Sequence, residues 1–568
     1  MTSAAQAPVS VARGVPLSDE PGLGPLTLPG YLREVTRRFA DREALVMHHP
    51  DGAVERWSYA DFWDRATEVA RALVACGVGK DSRVGILMSN RPEWIFAFFG
   101  VGLAGGVAVV LSTFSTPPEL EYLLRSSCIS ILLLERHVIK KDFGAVLAEL
   151  EPDVHTSRPG ALRSLKFPFL RRLVMAGTGA PFGMIETWAG FLARGQATPA
   201  PLLEVIAAAV KPADPCVLFF SSGSTGRPKG ILSAHRAVAI QCWRWRRHLG
   251  LGDDVRTLTV NGLFWSGNFC QAIGATFSSG GALVLLATFD PGEALRLMEC
   301  ERVTYPAGWP HQWARLQEAS NWPSVDLSSL RYVDASTALG RHRTVFTNWV
   351  NPVWSYGNTE TFTISTGFPS GTPLEVAGDT YGEPLPGNTI RIVDPLTGAV
   401  LPRGQSGEIA VKGPTLMLGY IGVPVDETLD EEGFFRTGDG GHMDDRGRLS
   451  WHGRLTDVIK TGGANVSPVE VDNELARYPG VRRSQTVGVP HETLGEMVVS
   501  CIVPKEGCVL EPGAIRDFLR ARLASYKTPR RILFVKDDEL SVTGSDKVKT
   551  AALREWVARR LQAETGSL

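Results

Sequence analysis

Short apolar runs alternate with segments of helical periodicity through most of the first four hundred residues. Helical spacing occurs at 65–76 and 118–126, and short apolar strands are predicted at 82–88 and 129–134. This alternation builds mostly parallel sheets with helices on both faces. The sequence therefore predicts an α/β fold in which a large N-terminal domain contains doubly covered, mostly parallel sheets.

One apolar stretch, residues 94–111, is long enough to raise the question of a membrane span. Four glycines interrupt it between positions 100 and 106. We predict instead a buried helix that begins near Pro92, a Gly-Gly turn and a buried strand at 107–111. No integral membrane segment is expected.

The pattern changes near residue 390, where short alternating strands are separated by Gly/Pro turns up to about residue 420. This pattern predicts a small β-barrel-like subdomain at about 380–450. After Gly453-Arg454 a compact α+β tail is expected, with helices at 468–477 and 512–523. We therefore divide the chain into an N-terminal domain at 1–452 and a C-terminal domain at 453–568.

Composition excludes several classes of protein. A chain of 568 residues exceeds the roughly 250 to 300 residues of a single core. Its formal net charge is -1, and the basic residues are scattered, so no nucleic-acid partner is expected. The eight cysteines form no C-x-x-C pair, and no secretory signal is expected, because residues 1–25 lack a basic start and an apolar run. These features predict a cytoplasmic protein with free thiols.

The segment 219–230, FFSSGSTGRPKG, follows an apolar strand with glycines, hydroxyls and a lysine. Glycine lets the backbone approach an anion, and the hydroxyls and lysine add donors, so a phosphate-binding loop is predicted. It is not a Walker A loop, because Pro228 precedes the lysine and no hydroxyl follows it. A flexible surface turn is the alternative. The candidate ligands are Ser221, Ser222, Gly223, Ser224, Thr225, Gly226 and Lys229.

Two further clusters have side chains that suit a nucleotide. Residues 356–360 place a ring, a turn, a hydroxyl and a carboxylate in succession, and these can stack on a base and hold a divalent metal. Asp439 is predicted at the junction of a strand and a turn, where its carboxylate can accept hydrogen bonds from a diol. Ordinary turns are the alternative for both clusters.

The C-terminal part adds two more clusters. Arg454 and Lys460 flank a short strand, and a tight Gly462-Gly463 loop follows. Lys547 ends a polar, glycine-containing segment at 541–547.

These five clusters, in this order and over nearly the whole chain, resemble those of the adenylate-forming superfamily, which includes acyl-CoA synthetases, adenylation domains and beetle luciferases. The resemblance implies a large domain that binds ATP and a carboxylic acid, and a small mobile C-terminal domain. It also implies Mg2+ and an acid–thiol ligase that forms an acyl-AMP and then a thioester.

The resemblance implies a role for each matching residue of the large domain. Thr225 and Lys229, with the loop amides, are expected to hold the β- and γ-phosphates of ATP. Tyr356, followed by Gly357 and Asn358 in the same cofactor-binding motif, is expected to pack on adenine. Thr359 is expected to contact the α-phosphate, and Glu360 to hold magnesium.

The C-terminal motifs receive roles in the same way. Asp439, assisted by Arg454, is expected to accept hydrogen bonds from the ribose hydroxyls. Lys547 matches the mobile catalytic lysine, although the local pattern departs from the family's usual Thr-Gly-Lys and leaves Lys549 as a second candidate. Thr456 stands at the hinge position, where the family commonly has Asp or Lys.

The resemblance also places the thiol substrate. Gly462 and Gly463 are expected to line the tunnel for the pantetheine arm of CoA, and Lys460 is grouped with them among the cofactor-binding residues.

The segment 261–269 is expected to shape the acyl pocket. It contains no Asp or Glu to pair with an ammonium group, which disfavours amino acids as substrates. A medium- or long-chain fatty acid is the first candidate, and an aryl acid is the second because aromatic walls also stack on rings. Plain core packing is the alternative for Phe264 and Trp265. The pocket candidates are Phe264, Trp265, Gly267, Phe269, Ser336, Thr337 and Ala338.

Three functions remain open from the sequence. An acyl-CoA ligase would use ATP, Mg2+ and CoA. An acyl-AMP ligase would instead load an acyl carrier protein. A nucleotide-binding regulator without chemistry is the third, and the presence of both Lys229 and Lys547 argues against it.

Overall fold

The computed structural model describes residues 8–180, 182–221, 228–352, 354–457, 459–461, 464–492, 494–523, 527–540 and 550–565. The chain divides into two compact units. The larger contains Arg13–Thr389 and Val411–Phe435, and the smaller contains Met1–Ala12, Ile390–Ala410 and Arg436–Leu568. The domain boundary at residue 453 stays a prediction.

An eight-stranded sheet forms the centre of the larger unit. Its first six strands are parallel, and the last two are antiparallel to their neighbours. In sheet order the strands are Glu186–Thr187, Arg172–Met175, Ile131–Leu134, Arg83–Leu87, Val107–Val110, Pro215–Ser221, Lys229–Ala234 and Gly419–Tyr420.

A five-stranded sheet lies in the same unit, with four parallel strands and one antiparallel edge strand. In sheet order its strands are Tyr305–Ala307, Arg256–Thr259, Ala282–Leu285, Glu43–His48 and Val54–Ser58. A three-stranded antiparallel sheet consists of Ser355–Asn358, Thr363–Gly367 and Glu383–Pro384.

Helices cover both faces of the eight-stranded sheet. Along the strand Val107–Val110, Ala108 and Val110 belong to one apolar core, and Val107 and Val109 belong to another. The alternation shows that both faces are buried, as the apolar runs predicted. The longer helices of the unit are Leu28–Arg38, Tyr59–Ala75, Pro92–Leu103, Pro117–Ser127, Phe143–Leu150, Ala200–Ala209, His235–Leu249 and Pro291–Cys300.

The apolar segment after Pro92 is the predicted buried helix, Pro92–Leu103, followed by the strand Val107–Val110. A Cβ atom at Gly100 would lie 2.8 Å from the Val69 side chain, so glycine allows close packing on the helix Tyr59–Ala75. In the described part of the chain, no helix has both the length and the apolarity that crossing a bilayer requires.

Local sequence explains where the neighbouring helix begins. The helix Tyr59–Ala75 starts earlier than the predicted 65–76, because Ser58 and Asp61 form a capping box. The Asp61 N–H donates to Ser58 Oγ at 3.1 Å, and the Ser58 N–H donates to Asp61 Oδ2 at 2.9 Å.

Most residues of two further sheets belong to the smaller unit. A five-stranded sheet has the order Val11–Arg13, Thr389–Val393, Gly407–Lys412, Phe435–Met443 and Leu449–Arg454. A second sheet has the order Ala464–Val466, Ile459–Thr461, Gly495–Pro504 and Val481–His491, with Arg531–Phe534 parallel to Gly495–Pro504. The helices are Pro468–Ala476, Pro512–Arg520 and Thr550–Thr565.

Candidate active site

The predicted phosphate-binding segment joins two paired strands. Pro215–Ser221 and Lys229–Ala234 are antiparallel, with Ser221 opposite Lys229. Pro215–Ser221 continues the parallel part of the sheet beside Val107–Val110, so the segment begins at the carboxyl end of a parallel strand, where α/β folds place ligands. The candidates Ser222, Gly223, Ser224, Thr225 and Gly226 lie outside the described residues.

Lys229 is exposed, and its ammonium nitrogen lies 5.0 Å from the centre of the Tyr420 ring. This distance falls within the range of a cation–π contact. Tyr420 belongs to the short strand Gly419–Tyr420 and pairs with Ile231 on the lysine's own strand. The sequence reasoning did not identify Tyr420.

Glu360 lies in a single 3-10 turn, Thr359–Thr361, after the strand Ser355–Asn358. Asn358 Oδ1 accepts the N–H of Thr361 at 3.0 Å, and Thr361 Oγ1 accepts the N–H of Asn358 at 3.1 Å. A Cβ atom at Gly357 would lie 1.6 Å from the carbonyl oxygen of Thr363, so only glycine fits there. These contacts therefore fix the backbone of the turn that carries Glu360.

Glu360 is buried, with 9% of the residue's surface exposed. Its Oε1 accepts the O–H of Tyr420 at 2.8 Å, and its main-chain oxygen accepts the N–H of Met417 at 2.7 Å. Carboxylate oxygens are the ligands that Mg2+ prefers, and among the described residues none donates a hydrogen bond to Oε2. Glu360 therefore suits a magnesium ion.

Other members of this motif have different surroundings. Tyr356 is only 5% exposed, and Thr359 is half-buried. Asn358 Nδ2 is buried and has no hydrogen-bond partner within the described part of the chain. A buried amide without an acceptor is costly, and a bound polar ligand would satisfy it.

The segment 261–269, predicted to shape the acyl pocket and here named the acyl-pocket segment, follows the strand Arg256–Thr259. Hydrogen bonds to its main chain hold it. Asn90 Nδ2 donates to the carbonyl oxygen of Asn261 at 2.8 Å, and Asn90 Oδ1 accepts the N–H of Leu263 at 3.1 Å. Asn268 Nδ2 donates to the same Asn261 oxygen at 2.9 Å. Asn90 is a second residue that the sequence reasoning missed.

Of the aromatic side chains of this segment, Phe264 and Phe269 are buried in the apolar core, whereas Trp265 is half-buried. The rings of Phe264 and Trp265 lie 5.4 Å apart, and Phe264 also contacts the exposed Phe114 at 5.6 Å. Phe269 is fully buried against Phe98 at 4.5 Å, which is plain core packing. A Cβ atom at Gly267 would contact nothing within 4 Å, so this side faces open space.

Phe269 also begins a π-helix, Phe269–Gly274. π-helical turns are rare and are often found at functional sites.

The turn at 336–338 is organised by Asp334. Asp334 Oδ1 accepts the N–H of Ser336 at 2.8 Å, and Thr337 Oγ1 donates to the Asp334 carbonyl oxygen at 2.7 Å. Burial opposes ionisation, but hydrogen bonds from Ser336 and Asn351 outweigh it and lower the pKa of Asp334. Ser336 is exposed, and Thr337 and Ala338 are half-buried.

In the smaller unit, Asp439 and Arg454 lie opposite one another on paired strands. Arg454 Nε is 3.1 Å from Asp439 Oδ1, and Asp439 is 4% exposed. Asp439 was predicted at a strand end, but the strand Phe435–Met443 continues through it. The strand accommodates this sequence because Gly438 takes a φ of 72° and the register shifts between Gly440 and Gly441.

The remaining C-terminal candidates are only partly described. Lys460 is exposed on Ile459–Thr461, and its N–H donates to Glu496 Oε2 at 2.7 Å. Asp457 follows the Arg454 strand, and burial raises its pKa. Gly462, Gly463, Lys547 and Lys549 lie outside the described residues.

One group elsewhere brings together side chains that bind metals in other proteins. Ligand atoms of His48, Cys300 and Glu301 lie within 4.8 Å of one another. However, both Glu301 oxygens already accept hydrogen bonds from the guanidinium groups of Arg56 and Arg256. These positive charges oppose a bound cation, so the group is an ion-pair cluster.

A model of the AMP-binding enzyme family matches residues 32–421, and a model of the AMP-binding enzyme C-terminal domain matches residues 470–547. The chain belongs to the AMP-binding enzyme family. This membership confirms the resemblance to adenylate-forming enzymes and the predicted class, an AMP-forming acid–thiol ligase.

Individual relatives match this AMP-binding enzyme over nearly its whole length. A 3-[(3aS,4S,7aS)-7a-methyl-1,5-dioxo-octahydro-1H-inden-4-yl]propanoyl:CoA ligase from Rhodococcus jostii (strain RHA1) is 30% identical over 94% of this chain and 99% of that protein. A mitochondrial medium-chain acyl-CoA ligase from Danio rerio is 28% identical over 94% and 89%. The anthranilate CoA ligase AuaEII, in complex with anthranoyl-AMP, matches with a TM-score of 0.74 and 25% identity over 97% and 100%. This structural similarity confirms the predicted fold class.

Proposed function

We propose that this AMP-binding enzyme activates an apolar carboxylic acid with ATP and transfers the acyl group to CoA. The contacts of Lys229 and Glu360 with Tyr420 carry the proposal most directly. They link a cation suited to phosphate with a carboxylate suited to magnesium, and the two residues come from separate motifs.

The first half-reaction joins two anions, because the acid's carboxylate attacks the α-phosphate of ATP and pyrophosphate leaves. Such a step needs positioning and charge neutralisation more than a strong base. Lys229 would neutralise the β- and γ-phosphates, Thr359 would donate to the α-phosphate, and Lys547 would bridge the carboxylate and the α-phosphate. A magnesium ion held by Glu360 would offset the charge of the leaving pyrophosphate.

The remaining nucleotide and thiol contacts follow from the family roles. Asp439 and Arg454 would bind the ribose hydroxyls, and Tyr356 would pack on adenine. In the second half-reaction the thiol of CoA attacks the acyl-adenylate carbonyl, and AMP leaves. Gly462 and Gly463 would leave room for the pantetheine arm.

The acid itself is inferred from the wall of the acyl-pocket segment. The half-buried Trp265 packs beside the buried Phe264 ring, Gly267 faces open space, and the segment contains no carboxylate. A medium- or long-chain fatty acid is the first candidate. An aryl or fused-ring acid is the second, favoured by the paired rings and by the names of the Rhodococcus and AuaEII ligases.

Pyrophosphate release with ATP and Mg2+ tests the proposal across straight-chain, aryl, fused-ring and amino acids, each with and without CoA. Release with one apolar class and matching consumption of CoA is the expected result. Release that ignores CoA would indicate loading of a carrier protein. Release with amino acids alone, or no release, would contradict the proposal.

A further inference from the structure

We propose that Tyr420 is a positioning residue that holds Lys229 and Glu360 ready for magnesium-bound ATP. This inference rests on the proposed function, because it assigns Tyr420 a part in binding that substrate. It concerns a residue outside the motifs that predicted the site. Two side-chain contacts support it, together with the hydrogen bonds of the neighbouring backbone and one ring contact.

The first two contacts involve the side chain itself. The Tyr420 hydroxyl donates to Glu360 Oε1 at 2.8 Å, and the Tyr420 ring lies 5.0 Å from the Lys229 ammonium. Hydrogen bonds to a charged acceptor are stronger than neutral ones, and the ring face attracts a cation. One side chain therefore restrains both the buried carboxylate and the flexible lysine.

Hydrogen bonds of the adjacent residues and one ring contact also hold Tyr420 in place. The Leu418 N–H donates to the Leu232 carbonyl oxygen at 2.7 Å, and the Ile421 N–H donates to the Gly230 oxygen at 2.9 Å. The Tyr420 ring packs edge-to-face on Phe435 at 6.3 Å. Because its backbone and ring are held on both sides, Tyr420 is rigid enough to orient its two neighbours.

The hydrogen bond from the Tyr420 hydroxyl also determines which carboxylate oxygen of Glu360 faces a metal ion. With Oε1 engaged by Tyr420, Oε2 is the oxygen to which no described residue donates a hydrogen bond. The tyrosine thus presents one carboxylate oxygen to the metal and limits the cost of burying its charge.

Binding measurements separate the hydroxyl from the ring. Mn2+ serves as a magnetic probe of the metal site, and its affinity in the presence of ATP is measured by electron paramagnetic resonance. ATP binding without metal is measured by calorimetry. Tyr420→Phe should weaken Mn2+ binding about tenfold but leave metal-free ATP binding unchanged. Tyr420→Leu should weaken both.

Tyr59→Phe is the matched control, because it also removes one buried hydroxyl bond, to the Gly281 carbonyl oxygen at 2.7 Å. It should leave Mn2+ and ATP affinities at the wild-type values. Unchanged Mn2+ affinity in Tyr420→Phe would overturn the role of Tyr420 alone. A wild-type protein that binds no ATP would overturn the proposed function as well.

A second inference comes from an unrelated surface of the larger unit. We infer that the segment 155–172, here named the basic loop and ending at the first residue of the strand Arg172–Met175, docks on an anionic lipid surface. Leu165 is 101% exposed and Phe169 is 55% exposed. Exposed apolar side chains on one short loop indicate a binding surface.

Buried neighbours keep these two side chains pointed outward. Leu162, Phe167 and Leu170 are buried in the core beneath the loop, with exposures of 0%, 3% and 3%. Ser164 Oγ accepts the N–H of Phe167 at 2.8 Å and fixes the turn between the exposed positions. The loop cannot bury Leu165 or Phe169 without unpacking this core.

The charge of the basic loop indicates an anionic partner. The basic loop contains five lysine or arginine residues and neither Asp nor Glu. Arg158 and Arg163 are exposed, whereas Arg172 is paired with Glu186, and Lys166 lies 3.8 Å from Glu121. Apolar tips beside exposed basic residues suit the interface of a bilayer with anionic headgroups.

Co-sedimentation with vesicles tests this inference. The full chain should bind vesicles of phosphatidylcholine and phosphatidylglycerol more than phosphatidylcholine alone, and salt should weaken binding. The double variant Leu165→Ser/Phe169→Ser should lose at least half of the bound fraction. So should Arg158→Glu/Arg163→Glu.

Leu396→Ser is the matched control. Leu396 is 94% exposed and lies outside the basic loop, so this variant should bind vesicles like the wild type. An equal loss in Leu396→Ser, or no binding of the wild type to either vesicle, would overturn the lipid partner.

Discussion

At the scale of single residues, the backbone around Glu360 is held in conformations that cost energy. Phe362 and Thr363 have φ angles of 48° and 88°, in the left-handed region that β-branched residues avoid. Phe362 is fully buried against the ring of Phe219 at 5.8 Å. Packing therefore offsets the strain, and such strain is common at functional sites.

The first prediction concerns Gly357. Gly357→Ala should destabilise the protein by more than about 2 kcal/mol, because its Cβ would overlap the Thr363 carbonyl oxygen. Urea unfolding measures the effect. Gly267→Ala is the control, since its Cβ would meet nothing within 4 Å. Equal stabilities of the two variants would show that the backbone can move aside.

The second prediction concerns Trp265. Trp265→Ala should change the ratio of kcat/KM values between short and long acids, because it removes part of the apolar wall. The KM for ATP should stay unchanged, since Trp265 belongs to the acyl-pocket segment. If ATP binding weakens and acid preference stays fixed, Trp265 does not line the acyl pocket.

At the scale of secondary-structure elements, Glu301 joins the end of the helix Pro291–Cys300 to neighbouring strands. Its carboxylate accepts hydrogen bonds from Arg56 Nη2 at 2.6 Å, from His48 at 2.7 Å and from Arg256. Burial alone would raise the pKa, but these hydrogen bonds outweigh it and lower the pKa of Glu301 to about 2. The ionised group thus fastens a helix to its sheet.

The third prediction follows from that pKa. A lowered carboxyl pKa gives stability that is present above the ordinary value of 4.5 and is lost as pH falls towards 2. Glu301→Gln should therefore be less stable than the wild type at neutral pH, and the difference should shrink below about pH 4.5. Urea unfolding at several pH values measures it. A difference that is constant with pH would contradict the assignment.

Secondary-structure elements were easier to predict from the sequence than contacts between residues that are distant along the chain. Periodicity placed the Pro92 helix and the 107–110 strand correctly, because each depends on neighbours along the chain. Tyr420 and Asn90 were missed, because their partners Glu360 and Asn261 are 60 and 171 residues away. The strand through Asp439 was also missed, because the adjoining glycines resembled a turn and its pairing depends on Arg454. Spacing in one sequence does not reveal such pairings.

At the scale of the whole molecule, the candidate residues are spread over both compact units. Lys229, Glu360 and Tyr420 belong to the larger unit, and Asp439 and Arg454 belong to the smaller. In the proposed reaction, acyl-AMP formation and thioester formation are two half-reactions that can be measured separately.

The fourth prediction separates those half-reactions. Lys547→Ala should lower acyl-AMP formation by about three orders of magnitude, because the attacking carboxylate and α-phosphate lose their shared cation. Thioester formation from supplied acyl-AMP should survive. Lys549→Ala is the matched control, and pyrophosphate release and thioester yield are measured for both. If Lys549→Ala shows the selective loss, Lys549 is the catalytic lysine. Equal loss in both half-reactions would reject the role.

The asparagine clamp on the acyl-pocket segment has a consequence for how this enzyme can change. Asn90 and Asn268 form hydrogen bonds with main-chain atoms of Asn261 and Leu263, so side-chain packing is not the only interaction that holds the backbone of this loop. Phe264 is buried in the core, whereas Trp265 is half-buried. We therefore expect Trp265 to be the position at which this loop accepts substitution while its backbone is kept.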